Sequence, residues 1–321
     1  MILNIAYACN EAYVNHTGIS MISLFENNKD IEDINVYLIN KDITDNSKNI
    51  LQNLISKYHR KLHLIAFDSL CEELQIGAVG RHIETIYAKL FFSEFEACDK
   101  ILYLDSDTIV AGSLRELWRI DMGDNLVGGV QTIASRELKA EIMMGRDDKF
   151  INDGIVLINL KAWREHNIEE KFVEFIAKYN GAPPVHSEGV INGVCRGKIL
   201  VLNPRYNLMS GLLFFKADEI IKMTGSDFYS QAEIDAAKSN PAIIHYLSAF
   251  YNRPWNANCT HPLKDWYLRY KAVSPWSDDP QTVAKMPLRL KLIKFAYQLL
   301  PFQIFIFMRK LWSVRLPNKM T

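Results

Sequence analysis

The chain opens on an apolar run broken only at Asn4, and residues 2–8 read as a buried strand. Helical spacing follows over about 17–27, with Thr17 as the expected N-cap. A second apolar run at 36–39 predicts a strand. Ile50, Leu51, Leu54, Ile55 and Tyr58 recur at the period of a helix over 46–59. Residues 62–66 predict a third strand, 83–95 a helix and 101–104 a fourth strand. Strands alternating with helices imply an α/β fold, in which a mostly parallel sheet carries helices on both faces. In such sheets ligands sit beyond the carboxyl ends of the strands.

The second half continues the alternation. Residues 151–159 are a polar triplet, Asn152-Asp153-Gly154 within it, feeding an apolar strand, and Leu160 to Trp163 opens an amphipathic helix. Ser187, Glu188 and Gly189 start a further short helix, 199–203 reads as a strand, and 242–245 is a strand ending in His245. Composition narrows the function. Thirty-seven basic residues balance 37 acidic ones, so no global field favours nucleic acid. Five cysteines (9, 71, 98, 195 and 259) are scattered without metal-binding spacing, which predicts a reducing, cytoplasmic setting. The N-terminus reads as a first strand and not as a targeting segment.

Candidate chemistry concentrates near residue 105. Leu102-Tyr-Leu104 ends on Asp105 and Asp107, two carboxylates one residue apart beyond a strand end. Both can turn toward one hard cation, Mn²⁺ or Mg²⁺, that bridges to a diphosphate. No Gly-x-Gly-x-x-Gly follows the first strand and no Walker lysine loop is present, which disfavours those phosphate-binding modes. Any diphosphate charge must then be met by the cation and a few basic side chains.

Taken together, Leu102-Tyr-Leu-Asp105-Ser-Asp107, Asn152-Asp-Gly-Ile-Val-Leu-Ile-Asn-Leu160, Trp163 and His245 to Arg253-Pro-Trp255 resemble glycosyltransferase family 8. Tyr87-Ala-Lys89-Leu90 and Asn203-Pro-Arg-Tyr-Asn207 fit its order as well, and the likeness runs from residue 2 to about 276. The resemblance implies a GT-A fold, a UDP-sugar donor, Mn²⁺ and transfer with retention at the anomeric carbon. It implies that Asp105, Asp107 and His245 ligate the metal. It places Ala8, Asn10 and Tyr13 against uridine, Lys89 and Ser106 near the donor, and Arg253 on the diphosphate. Asn152, Asp153 and Glu188 fall near the donor sugar and acceptor, with the two acids as candidate catalytic carboxylates. Four features depart from the family pattern: Asn10 replaces an aspartate, Lys89 an arginine, Ser187-Glu188-Gly189 an Asp-Gln-Asp, and the loop from His245 to Arg253 is slightly longer. The expected activity is hexosyl transfer, of galactose or glucose, to a glycan acceptor of the bacterial surface. A non-catalytic sugar-nucleotide-binding protein of the same fold is the alternative.

The tail is read separately, as residues 277–321 beyond a catalytic domain of 1–276. Residues 285–316 carry Lys285, Arg289, Lys291, Lys294, Arg309, Lys310 and Arg315 and no acid, interleaved with leucines and aromatics. Its least polar run is shorter than the roughly 20 residues needed to span a bilayer. A basic, aromatic, amphipathic segment suits the interface of an anionic membrane instead. The expectation is a peripheral enzyme on the cytoplasmic face, beside a lipid-linked acceptor.

Overall fold

The computed structural model describes residues 1–67, 85–92, 95, 98–248, 251–286 and 288–306. Seven strands form the main sheet: β1 (Ile2–Asn10), β2 (Asp33–Lys41), β3 (Lys61–Ala66), β4 (Lys100–Leu104), β6 (Val127–Gln131), β7 (Ile151–Asn159) and β8 (Ile199–Val201), in the order β3-β2-β1-β4-β7-β6-β8. β1 runs parallel to β2 and β4, β2 to β3, and β6 to β8, whereas β7 is antiparallel to both β4 and β6. The sheet is therefore mixed and mostly parallel, as expected.

The apolar runs are nearly continuous because both faces of the sheet are covered. Leu3, Ile5, Tyr7, Leu102, Leu104 and Leu157 point into one core, with Met21, Leu24 and Leu51 from helices Val14–Glu26 and Asp45–Lys57. Their neighbours Ala6, Ile101, Tyr103, Val156 and Ile158 point into a second core, with Trp163, Phe172 and Val190 from helices Leu160–Glu165, Ile168–Lys178 and His186–Val194. A one-residue slip of any strand would exchange the two sets, so register is strongly fixed.

Three local expectations are corrected. The first helix starts at Val14, because a 3-10 turn, Glu11–Tyr13, carries the chain directly off β1. Thr17 is accordingly no cap. It is buried one turn inside, and its Oγ1 donates to the Tyr13 carbonyl at 2.9 Å and lies 2.8 Å from Ser106 Oγ. The helix expected over 83–95 is a 3-10 helix, Thr85–Leu90, in its described part. Unforeseen was a small second sheet of β5 (Thr108–Val110), β10 (Ile243–His245) and β9 (Leu208–Met209). It becomes decisive at the site.

The tail forms a helix, Leu288–Leu299, that packs onto the domain by one face. Tyr297 donates to Glu219 Oε2 at 2.7 Å and packs its ring 4.7 Å from Phe214, while Ala296 and Phe305 are buried. Residue 287 and residues 307–316 of the expected basic segment lie outside the described residues. Among the described residues no helix is long and apolar enough to cross a membrane.

Candidate functional site

β4 and β7 pair antiparallel, with Leu104 opposite Ile155, so the residues after one strand meet the residues at the start of the other. The Asp105 amide donates to the Gly154 carbonyl at 2.7 Å and extends that contact. This places Asp105 beside Asn152 and Asp153. β5 then leads away from Asp107 and pairs antiparallel with β10, with Thr108 opposite His245. That register delivers His245, 138 positions on in the chain, to the aspartate pair.

Asp105, Asp107 and His245 each offer one ligand atom, all within 4.8 Å of one another. His245 Nε2 lies 3.1 Å from Asp107 Oδ1 and 3.9 Å from Asp105 Oδ2. It is buried and has no hydrogen-bond partner among the described residues. A buried, unpaired ring nitrogen facing two carboxylates is costly by itself and fits a cation ligand. Two carboxylates with one imidazole suit Mn²⁺ or Mg²⁺. Gly154 is required here. A β-carbon on it would come within 2.3 Å of His245 Cε1 and 2.6 Å of Asp105 Oδ2.

Charges around the triad are paired in two groups. Lys89 Nζ, almost fully buried, lies 3.0 Å from Asp105 Oδ1 and 3.3 Å from Asp153 Oδ2, and 4.6 Å above the Tyr103 ring. Burial works against its charge, but Asp105 and Asp153 outweigh that and hold the ammonium firmly protonated. Asp105 is pushed up by burial and by Asp107 and Asp153, with Lys89 opposing. On the other side Arg253 Nη1 pairs with Asp107 Oδ2. Burial resists ionisation of Asp107, yet His245 and Arg253 prevail and hold its carboxyl well below the usual range. The Arg253 guanidinium sits 5.3 Å from the Trp255 ring, which stacks on His16 at 3.7 Å.

Ala8, Asn10, Tyr13, Lys89, Asp105, Ser106, Asp107, Asp153 and Arg253 line one cleft of about 330 Å³. The sequence reading brought all of these together. It missed Cys9, Ile86 and Tyr103 on the same walls. Asn152 and His245 are buried behind the cleft, with half-buried Glu188 beside them. Asn152 Nδ2 donates to Glu188 Oε1 at 3.0 Å, and Ser187 Oγ donates to Asp153 Oδ2 at 2.5 Å. Asn207, which carried no assigned role in the sequence reading, joins this group through Asn152 and His245. The sequence marked it only as the last residue of the Asn203-Pro-Arg-Tyr-Asn207 motif.

The turn presenting Glu188 is tight. Val185 and His186 both have φ of 50°, and a β-carbon on Gly189 would lie 1.9 Å from the Pro184 carbonyl oxygen. Only glycine leaves room for that carbonyl. Burial, reinforced by Asp153, raises the Glu188 carboxyl from 4.5 to about 8. Between those two values the unfolded chain carries an ionised Glu188 while the folded protein keeps the proton. This contribution to stability is full below pH 4.5 and is lost as pH rises to 8. Glu188→Gln removes the titration. Its melting temperature relative to wild type is expected to climb from pH 5 to pH 8, as measured by calorimetry. A difference that stays constant with pH would reject a protonated Glu188.

A sequence model described as Glycosyl transferase family 8 matches residues 4–259. General stress protein A of Bacillus subtilis (strain 168) is 24% identical over 283 residues, 86% of this chain and 95% of the relative. Lipopolysaccharide 1,2-glucosyltransferase of Escherichia coli (strain K12) is 23% identical over 295 residues, 90% of this chain and 83% of the relative. Among solved structures, galactosyltransferase LgtC in complex with donor and acceptor sugar analogs superposes with a TM-score of 0.67 at 21% identity, covering 90% of this chain and 99% of that one.

Proposed function

The chain belongs to glycosyl transferase family 8, and from that premise we propose that it transfers a hexose, galactose or glucose, from a UDP-sugar to a glycan acceptor with retention at the anomeric carbon. The observation that carries the proposal is the buried, unpaired Nε2 of His245 facing Asp105 and Asp107 at the wall of a cleft with a cation on either side. Lipopolysaccharide glucosyl- and galactosyltransferases among the relatives support a hexose and a bacterial cell-surface glycan.

In this reading Asp105, Asp107 and His245 hold Mn²⁺ or Mg²⁺, which when bound neutralises charge developing on the leaving diphosphate. Arg253 adds a guanidinium at the same place, preset by the Trp255 and His16 stack. Uridine lies against Ala8, Asn10 and Tyr13, with Ser106 and Lys89 closing the inner wall. Of the two catalytic carboxylates, Asp153 faces the cleft and is flanked by Lys89, whereas Glu188 sits behind it and holds its proton near neutral pH. Asp153 is therefore the group offered to the anomeric carbon as it becomes positive. Ser187 and Lys89 orient it.

The test is hydrolysis and transfer from UDP-galactose and UDP-glucose with Mn²⁺, with the product linkage read by NMR. An α-linked product from an α-linked donor is expected. A β-linked product would remove the retaining assignment, and no turnover of any UDP-hexose would favour the non-catalytic sugar-nucleotide-binding alternative.

A membrane-facing tail completes the proposal. Leu288, Leu292, Phe295 and Leu299 are 53–71% exposed, recur at helical spacing and lie opposite the packed face, beside exposed Lys285 and Lys291. An apolar stripe flanked by cations suits an anionic bilayer surface, where each basic residue adds on the order of 1 kcal/mol. That surface would bring the cleft to a lipid-linked acceptor. Changing Leu292, Phe295 and Leu299 together to serine leaves Tyr297 and Phe305 packed. The change is expected to cut co-sedimentation with phosphatidylglycerol vesicles severalfold while UDP-sugar hydrolysis persists. Sedimentation equal to wild type would show that the stripe does not touch lipid.

A further inference from the structure

We infer that Asn207 is a positioning residue that sets which nitrogen of His245 is free to bind a cation. The chain of donors begins at a group whose role is unambiguous. The backbone N–H of Gly154 can only donate, and it points at Asn152 Oδ1 at 3.2 Å. That fixes the oxygen end of the Asn152 amide, and its nitrogen end meets the Glu188 carboxyl accordingly. The Asn207 atom 2.8 Å from the same Asn152 oxygen must then be a donor, Nδ2. The other end of the Asn207 amide, Oδ1, is left 3.2 Å from His245 Nδ1. A carbonyl oxygen only accepts, so Nδ1 carries the hydrogen and Nε2 is the nitrogen whose lone pair a cation would take. Nε2 is the atom that faces Asp105 and Asp107.

Burial makes the arrangement strict. Asn207 is fully buried, His245 is 1% exposed and Asn152 is 8% exposed, so water cannot substitute for a missing partner. β9 follows Asn207 directly and runs parallel to β10, with Met209 opposite His245. The small second sheet therefore holds the amide and the imidazole in one register. Through Asn152 the same row reaches Glu188, and it ties the cation site to that carboxyl by hydrogen bonds alone. Partners of this kind orient a ligating histidine, and their loss costs about 10–100-fold in metal affinity.

The assignment, which rests on the cation-binding reading of the triad, is tested in wild type by ¹⁵N NMR of the histidine rings with Mg²⁺, a diamagnetic ion, resonances of His245 being identified by their loss in His245→Gln. Hydrogen on Nδ1 is expected, and hydrogen on Nε2 overturns the inference whether or not an Asn207 variant folds. Mn²⁺ affinity is then measured by electron paramagnetic resonance. Asn207→Leu, near in size but without the amide, is expected to bind at least about tenfold more weakly. Asn207→Asp keeps the acceptor and is expected to retain most of the affinity. Unchanged Mn²⁺ affinity in Asn207→Leu overturns the positioning role alone, whereas failure of wild type to bind Mn²⁺ overturns the metal reading itself.

Discussion

Asp107→Ala is expected to lower UDP-sugar turnover by more than about 10³-fold, beyond the loss from a single transition-state donor. The carboxylate faces His245 Nε2 with one oxygen and pairs with Arg253 through the other. Its removal deletes a proposed ligand and leaves the Arg253 guanidinium without the charge that anchors it. The fold should survive, because Asp107 lies between β4 and β5 at the cleft and not in either apolar core. Far-ultraviolet circular dichroism should match wild type, while excess Mn²⁺ should restore little activity. Near-normal turnover would sink the ligand assignment. Asp107→Asn is the companion variant. It keeps the shape and loses the charge, so activity retained there but lost in alanine would move the role from ligation to packing.

Lys89→Met should act first on stability. A buried ammonium compensates Asp105 and Asp153, and breaking such a group by removing one partner costs about 3–5 kcal/mol. For a chain of this size that lowers the melting temperature by roughly 4–7 °C. Burial and the neighbouring carboxylates already push Asp105 upward, and Lys89 is the strongest influence opposing them. A divalent cation supplies the missing positive charge, so added Mn²⁺ is expected to raise the melting temperature of Lys89→Met by more than it raises that of wild type. Equal increments in the two proteins would mean that the lysine and the proposed cation do not share Asp105.

Much of this molecule was legible in the linear sequence. The apolar runs located β1, β2, β3, β4 and β7, because strands covered on both faces leave a nearly unbroken hydrophobic record. The aspartate pair announced itself because it follows β4 directly, and strand ends are where such sheets place ligands. The ordered motifs added the family, and with it residues on every wall of the cleft. Boundaries fared less well. Thr17 looked like a cap, since a hydroxyl before an apolar run is the ordinary start of a helix. The 3-10 turn after β1 moved the start upstream and turned that hydroxyl toward Ser106. The tail read as one amphipathic segment, while packing divided it into a face held by Phe214 and Glu219 and a face left to solvent.

What the sequence determined by itself was local: which segments extend, which coil, and which polar residues stand at their ends. Those follow from periodicity and from side-chain chemistry within a few positions. Only the tertiary structure decided that Thr108 lies opposite His245, that Gly154 leaves space between an imidazole and a carboxylate, and that Asn207 reaches both Asn152 and His245. These are meetings between segments up to 140 positions apart. Their register is set by the simultaneous burial of two sheets and two cores, a condition that no single stretch of chain satisfies alone.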